Sequence, residues 1–302
     1  MMKRASFVAG SLAAASVSTS RLSRADAGDA FPFDFAQGVI VLAVDVGLPK
    51  PARMIFDTGN TPLVLDTDRA RGLGLAVPSG AKRTSGQGSS AFDFYRVTLP
   101  TVGLGATRLR DQPALLVPFS DQVKHDYGIE VDGSFGYGAL RDRVVRIDFP
   151  ARELRISTAP GAAAAGSVSS PITWLQYQPQ SPRLITFDGL TVDGEAVTAQ
   201  LDTFLAREAI VFTAKTPRFA HLPDAPAKPI EYEGATLRPA RVGAVSFLSE
   251  TLGRAPITVY VAGKGAHVPT TAISAILGNA LLADRVVELD FPNSTITLAP
   301  AS

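Results

Sequence analysis

Apolar residues in this chain fall into short runs, not long helical stripes. Residues 38–46, 144–149, 183–187, 257–261 and 295–298 are rich in Val, Ile, Leu, Phe and Thr. That is the composition of strands, and Gly or Pro punctuates the chain between them. Only residues 67–73 and 271–277 suit short helices. Much of this pattern is written twice. Asp142-Arg143-Val144-Val145-Arg146-Ile147-Asp148-Phe149-Pro150 returns 142 residues later as Asp284-Arg285-Val286-Val287-Glu288-Leu289-Asp290-Phe291-Pro292, with seven of nine positions identical. Gly136-Tyr137-Gly138-Ala139-Leu140 matches Gly278-Asn279-Ala280-Leu281-Leu282 at the same separation, and Ile55-Phe56-Asp57-Thr58 matches Gln200-Leu201-Asp202-Thr203. So long a period is no solenoid repeat or propeller blade; it reads as a duplicated domain. Residues 159–170 are small and lack a periodic apolar face, as a linker does. The expected architecture is all-β, with two similar halves at 28–160 and 171–302 and a linker at 161–170.

Composition narrows the function classes. With 302 residues, 46% hydrophobic and 19% charged, the chain has material for one large or two ordinary domains. A formal net charge of +1 gives no electrostatic reason to expect nucleic acid or an anionic membrane as partner. The absence of Cys removes disulfides, thiolate metal sites and Cys nucleophiles together. At the N-terminus, Lys3-Arg4 precedes a mostly small, apolar stretch from Ala5 to Ser18, and Ala25-Asp26-Ala27 has the form of a signal-peptidase site. Residues 1–27 are therefore expected to be an export signal, destined for the periplasm or the medium. The stretch is too short for a membrane span, and no other segment reaches 18 continuous apolar residues.

The chemistry concentrates in Met54-Ile55-Phe56-Asp57-Thr58-Gly59-Asn60-Thr61, where an apolar strand delivers a carboxylate into a tight turn. Asp202-Thr203 stands at the matching place in the other half. With these motifs, the chain resembles the pepsin and retropepsin families of aspartic proteases over about residues 31–299. The resemblance implies a bilobed fold of two homologous β-barrel lobes, each giving one catalytic acid, Asp57 and Asp202. It also implies that Thr58, Gly59 and Thr203 shape the site, with Thr58 and Thr203 hydrogen-bonding across the junction. Val131-Asp132-Gly133 with Gly136, and Ile276-Leu277-Gly278, would pack behind the two acids. A substrate-covering hairpin would fall at residues 84–95, through Gly86, Gly88 and Phe92. Two carboxylates about 3 Å apart cannot both ionise, so they share a proton and can activate one bridging water.

The second motif departs from the family. It reads Asp202-Thr203-Phe204, with Phe in the Gly position, and Leu205-Ala206-Arg207-Glu208 lengthens the segment behind it; Asn60 replaces a small residue in the first. The Cβ and ring of Phe204 are expected either to clash with the close approach or to widen the loop. The leading expectation is thus an exported, monomeric aspartic endopeptidase acting on polypeptide without metal or organic cofactor. The alternative is a catalytically inactive peptide-binding protein on the same scaffold. A third arrangement would pair the first half with that of another molecule, as retropepsins do, but the fused second half already occupies that surface. His125, His221 and His267 lack metal-ligand spacing, and H-E-x-x-H, G-x-S-x-G, Walker and G-x-G-x-x-G motifs are absent. Trp174 is expected to pack in the core or an interface, and Asp148 and Asp290, at strand ends before Phe-Pro, to be structural.

Overall fold

The computed structural model describes residues 29–72, 74–77, 82–85, 91–176, 183–232, 235–263 and 272–301. The expected signal at 1–27 lies outside them. Among the described residues the fold is all-β, with strands in a 15-stranded and an 8-stranded sheet and two α-helices, α1 (Thr67–Gly72) and α2 (Ser120–Tyr127).

One strand arrangement occurs twice. In the first half, Ala52–Asp57 pairs antiparallel with Val39–Val44 and parallel with Gly133–Gly136. Gly133–Gly136 runs antiparallel to Leu63–Asp66, which pairs parallel with Thr107–Val117. In the second half, Glu195–Leu201 pairs antiparallel with Leu184–Val192 and parallel with Ala275–Leu277. Ala275–Leu277 is antiparallel to Ala209–Phe212, which pairs parallel with Ile257–Ala262. The short inner strands are buried at every position, which explains why apart from Ser134 and Asp66 they are apolar or Gly throughout. Backbone crowds them closely. A Cβ on Gly136 would meet the Pro62 carbonyl oxygen at 2.2 Å, and one on Gly278 the Arg207 carbonyl oxygen at 2.3 Å.

The repeated nonapeptides meet each other. Val144–Asp148 pairs antiparallel with Arg285–Asp290, and at its centre Arg146 faces Glu288, its own counterpart in the repeat. Outside this pair lie Glu153–Ser157 and Thr295–Pro300, flanked in turn by Asp29–Pro32 and Val168–Leu175. Asp148 and Asp290 each close a following turn, accepting the backbone N–H of Ala151 and of Asn293 at 3.0 Å. Trp174 packs its ring on Tyr137 and Phe291. One apolar cluster, from Phe31 to Leu298, draws on both halves.

Two expectations need adjustment. The helix expected at 271–277 is instead the strand Ala275–Leu277; a short apolar run has the same composition in a buried strand and a buried helix, and here partners on both sides decide. Val168–Leu175 begins inside the segment expected to link the halves, because residues 168–171 pair with residues 295–298.

Candidate active site

Asp57 ends a strand with five of six residues buried and is itself 5% exposed. Its Oδ1 accepts the Gly59 N–H at 2.9 Å. Thr58 and Thr203, both fully buried, bind reciprocally. The Thr58 N–H donates to Thr203 Oγ1 and the Thr203 N–H to Thr58 Oγ1, each at 3.0 Å. The Thr58 hydroxyl donates onward to the Leu201 carbonyl at 3.1 Å, and the Thr203 hydroxyl to the Phe56 carbonyl at 2.7 Å. A hydroxyl both gives and takes a hydrogen bond, so two Thr side chains tie together the ends of the strands that carry both acids.

Gly59 brings the two carboxyl groups together. A Cβ there would stand 2.7 Å from Asp202 Cγ and 2.8 and 2.9 Å from its two oxygens. The Asp202 carboxyl therefore lies directly on the backbone of the Asp57 turn, where only glycine leaves room. Asp57 is held well above the usual carboxylate range, first by burial and then by the charge of Asp202, while the Gly59 and Asn60 amides pull the other way. Asp202 is half-buried. Of the two acids, the more buried Asp57 is the one held toward its neutral form.

Phe204 neither clashes nor breaks the turn. Its N–H donates to Asp202 Oδ1 at 2.9 Å, the same bond that Gly59 makes to Asp57. Its ring is 5.4 Å from that of Tyr127 in a stacked arrangement and 6.0 Å from that of Phe119. The Tyr127 hydroxyl donates to the Phe204 carbonyl at 3.2 Å. Burial, then the charge of Asp202, raises the pKa of Tyr127, which keeps it a donor. The aromatic side chain is thus received by α2 and the residue preceding it.

Sequence reasoning did not identify Tyr127 or Phe119, which lie 77 and 85 residues from Phe204 and share no motif with it. Asn279 and Tyr137 could have been found, since each follows a matched glycine. The buried Asn279 amide donates to the Thr203 carbonyl at 2.6 Å and the Gly38 carbonyl at 2.9 Å. Tyr137 accepts from the Thr61 hydroxyl at 3.2 Å and donates to the Arg183 carbonyl at 2.5 Å.

Of the expected covering hairpin, the arms Lys82–Ser85 and the start of Ala91–Leu104 pair antiparallel, with Phe92 opposite Thr84. Gly86 and Gly88 lie outside the described residues, as does His267. His125 is exposed beside Asp126. No grouping of three or more His, Cys, Asp or Glu able to hold a metal occurs among the described residues.

What this arrangement can do is bounded: two acids, one biased toward its neutral form, converge on a pair of turns tied by reciprocal Thr hydrogen bonds. A search of curated proteins found no match to the chain. Residues 42–138, which contain Asp57, Thr58 and Gly59, match the family model described as aspartyl protease.

Proposed function

We propose that the protein is an exported aspartic endopeptidase, working as a monomer, in which Asp57 and Asp202 activate one water against a peptide bond. The observation that carries this reading is the contact of the Asp202 carboxyl with Gly59, whose N–H is bound to Asp57. In the proposed reaction the ionised member of the pair takes a proton from water as the oxygen attacks the scissile carbonyl carbon. The protonated member donates a hydrogen bond to the carbonyl oxygen as negative charge develops there. Collapse of the tetrahedral intermediate breaks the C–N bond, and a proton passes from the dyad to the leaving nitrogen. The rise at Asp57, from burial first and the charge of Asp202 second, supports placing the shared proton there. Thr58 and Thr203 act by holding the acids, not by touching substrate. Export rests on the pattern of residues 1–27 alone.

The test is hydrolysis of a denatured protein, with and without pepstatin, by the wild type and by Asp57→Asn and Asp202→Asn. Activity lost in both variants supports the dyad; activity retained in Asp202→Asn removes it. Phe204 in the glycine position motivates the second reading, a peptide-binding protein without catalysis. Peptide binding without detectable hydrolysis would select it.

A further inference from the structure

The repeated Asp-Arg-Val-Val segment ends differently in its two copies. Arg285 has both terminal nitrogens engaged within the chain, its Nη1 3.1 Å from Glu250 Oε2 and its Nη2 donating to the Thr251 carbonyl at 2.7 Å. Glu250 reaches it from a hairpin in which Phe247 pairs with Glu250 across a two-residue turn, Leu248 standing at φ +53°. The first half has the same hairpin: Leu104 pairs with Thr107, and Gly105 stands at φ +58°. By register, Thr107 is the counterpart of Glu250 and Arg143 that of Arg285. The neighbour contact is preserved, with Nε 3.6 Å from Asp142 in one copy and 3.4 Å from Asp284 in the other. The facing carboxylate is not. Among the described residues the Arg143 guanidinium makes no hydrogen bond and pairs with Asp142 alone, its buried Nε lacking a hydrogen bond as that of Arg285 does.

Arg143 lines two adjoining hollows instead. The groove of about 550 Å³ also holds Arg108, Arg110 and Arg141 against the carboxylates of Asp111 and Asp142. That volume lies within the roughly 300–1,000 Å³ usual for binding clefts. The hollow of about 290 Å³ shares Arg108 and Arg143 and includes Thr107 and Asp29. Asp29 is already engaged: its Oδ2 accepts the Thr107 N–H at 2.8 Å and the Ala106 N–H. Across the two hollows, four guanidinium groups face three carboxylates, Asp29, Asp111 and Asp142, which leaves the site net positive.

We propose that these two adjoining hollows bind an acidic segment of another polypeptide, one of whose carboxylates takes at Arg143, beside Thr107, the place that Glu250 takes at Arg285. The internal copy supplies the reason for a carboxylate, because planar guanidinium meets planar carboxylate there already. The site does not depend on the reaction proposed for Asp57 and Asp202.

The test uses the full chain and fluorescence anisotropy of a labelled oligo-glutamate peptide, with the oligo-glutamine peptide as its uncharged match. The wild type should bind the first and not the second. Arg143→Gln and Thr107→Glu should each weaken binding tenfold or more. Thr107→Glu is the sharper variant, since it supplies the carboxylate that the second half has, and its unfolding midpoint should equal or exceed that of the wild type. Absence of oligo-glutamate binding, equal affinity in both variants, or a destabilised Thr107→Glu would overturn the proposal. Inorganic phosphate bound more tightly than the peptide would also overturn it, by making the groove a phosphate site.

Discussion

Replacing Gly59 by Ala tests the contact between the two acids with the smallest possible perturbation. The new methyl would lie 2.7–2.9 Å from three atoms of the Asp202 carboxyl, where ordinary contact begins at 3.4 Å. Gly59 does not have a left-handed backbone, so the effect is steric and not conformational. The carboxyl must retreat by about 0.5 Å, against a turn fixed by its own bond to the Phe204 N–H. Reacting groups tolerate little such displacement, and a shift near 1 Å costs roughly 100-fold in rate. We expect kcat on an unfolded protein substrate to fall about 10- to 100-fold, equivalent to roughly 1.4–2.7 kcal/mol of barrier. Overpacking should cost about 1–3 kcal/mol of stability, read from the urea midpoint. Gly72→Ala is the control, because nothing lies within 4 Å of its would-be Cβ, and it should leave kcat unchanged. Wild-type kcat in Gly59→Ala would refute the argument that Asp202 rests on this turn.

Three further perturbations probe the surrounding structure. Thr58→Val removes the acceptor of the Thr203 N–H and the donor to the Leu201 carbonyl; about 1–3 kcal/mol is expected for each buried group left unpaired, while Thr58→Ser should retain most of the stability. Asp57→Asn addresses pH: the folded-state pKa of Asp57 is raised, so its contribution is most favourable below the unfolded value of about 3.9 and is lost as pH rises through the folded value. The variant should therefore unfold at higher urea than the wild type at pH 7, a gain that vanishes below about pH 4; equal midpoints at pH 7 would contradict the burial of a strained carboxyl. Tyr127→Phe keeps the ring on Phe204 but deletes the bond to its carbonyl, and should lower kcat several-fold with little change in KM, at about 0.5–1.5 kcal/mol of stability.

The sequence made the duplication legible because matching backbone demands matching residues. Gly136 and Gly278 recur where a neighbouring carbonyl leaves no room for a side chain, and Asp148 and Asp290 recur because each closes the same turn. The two acids could be paired for the same reason. The strand Ala275–Leu277 lies in a segment whose composition suits a helix, since the identity of its strand partners, residues 199–201 and 209–211, is not a local property. The fate of Phe204 was equally hidden. A ring in a glycine position looks like damage until α2, from the other half, is seen to stack on it. The missing partner of Arg143 also needed register: only the hairpin pairing makes Thr107 the equivalent of Glu250.

The pairing of Arg146 with Glu288 has an evolutionary consequence. In two identical halves that strand position would meet its own copy, guanidinium against guanidinium or carboxylate against carboxylate, and like charges directly opposed weaken a ladder. In the fused chain the two side chains are of opposite sign and 4.0 Å apart. Divergence at this one position therefore favours the covalent couple over any assembly of a half with itself. Exact repetition of either half would put like charges back at this position.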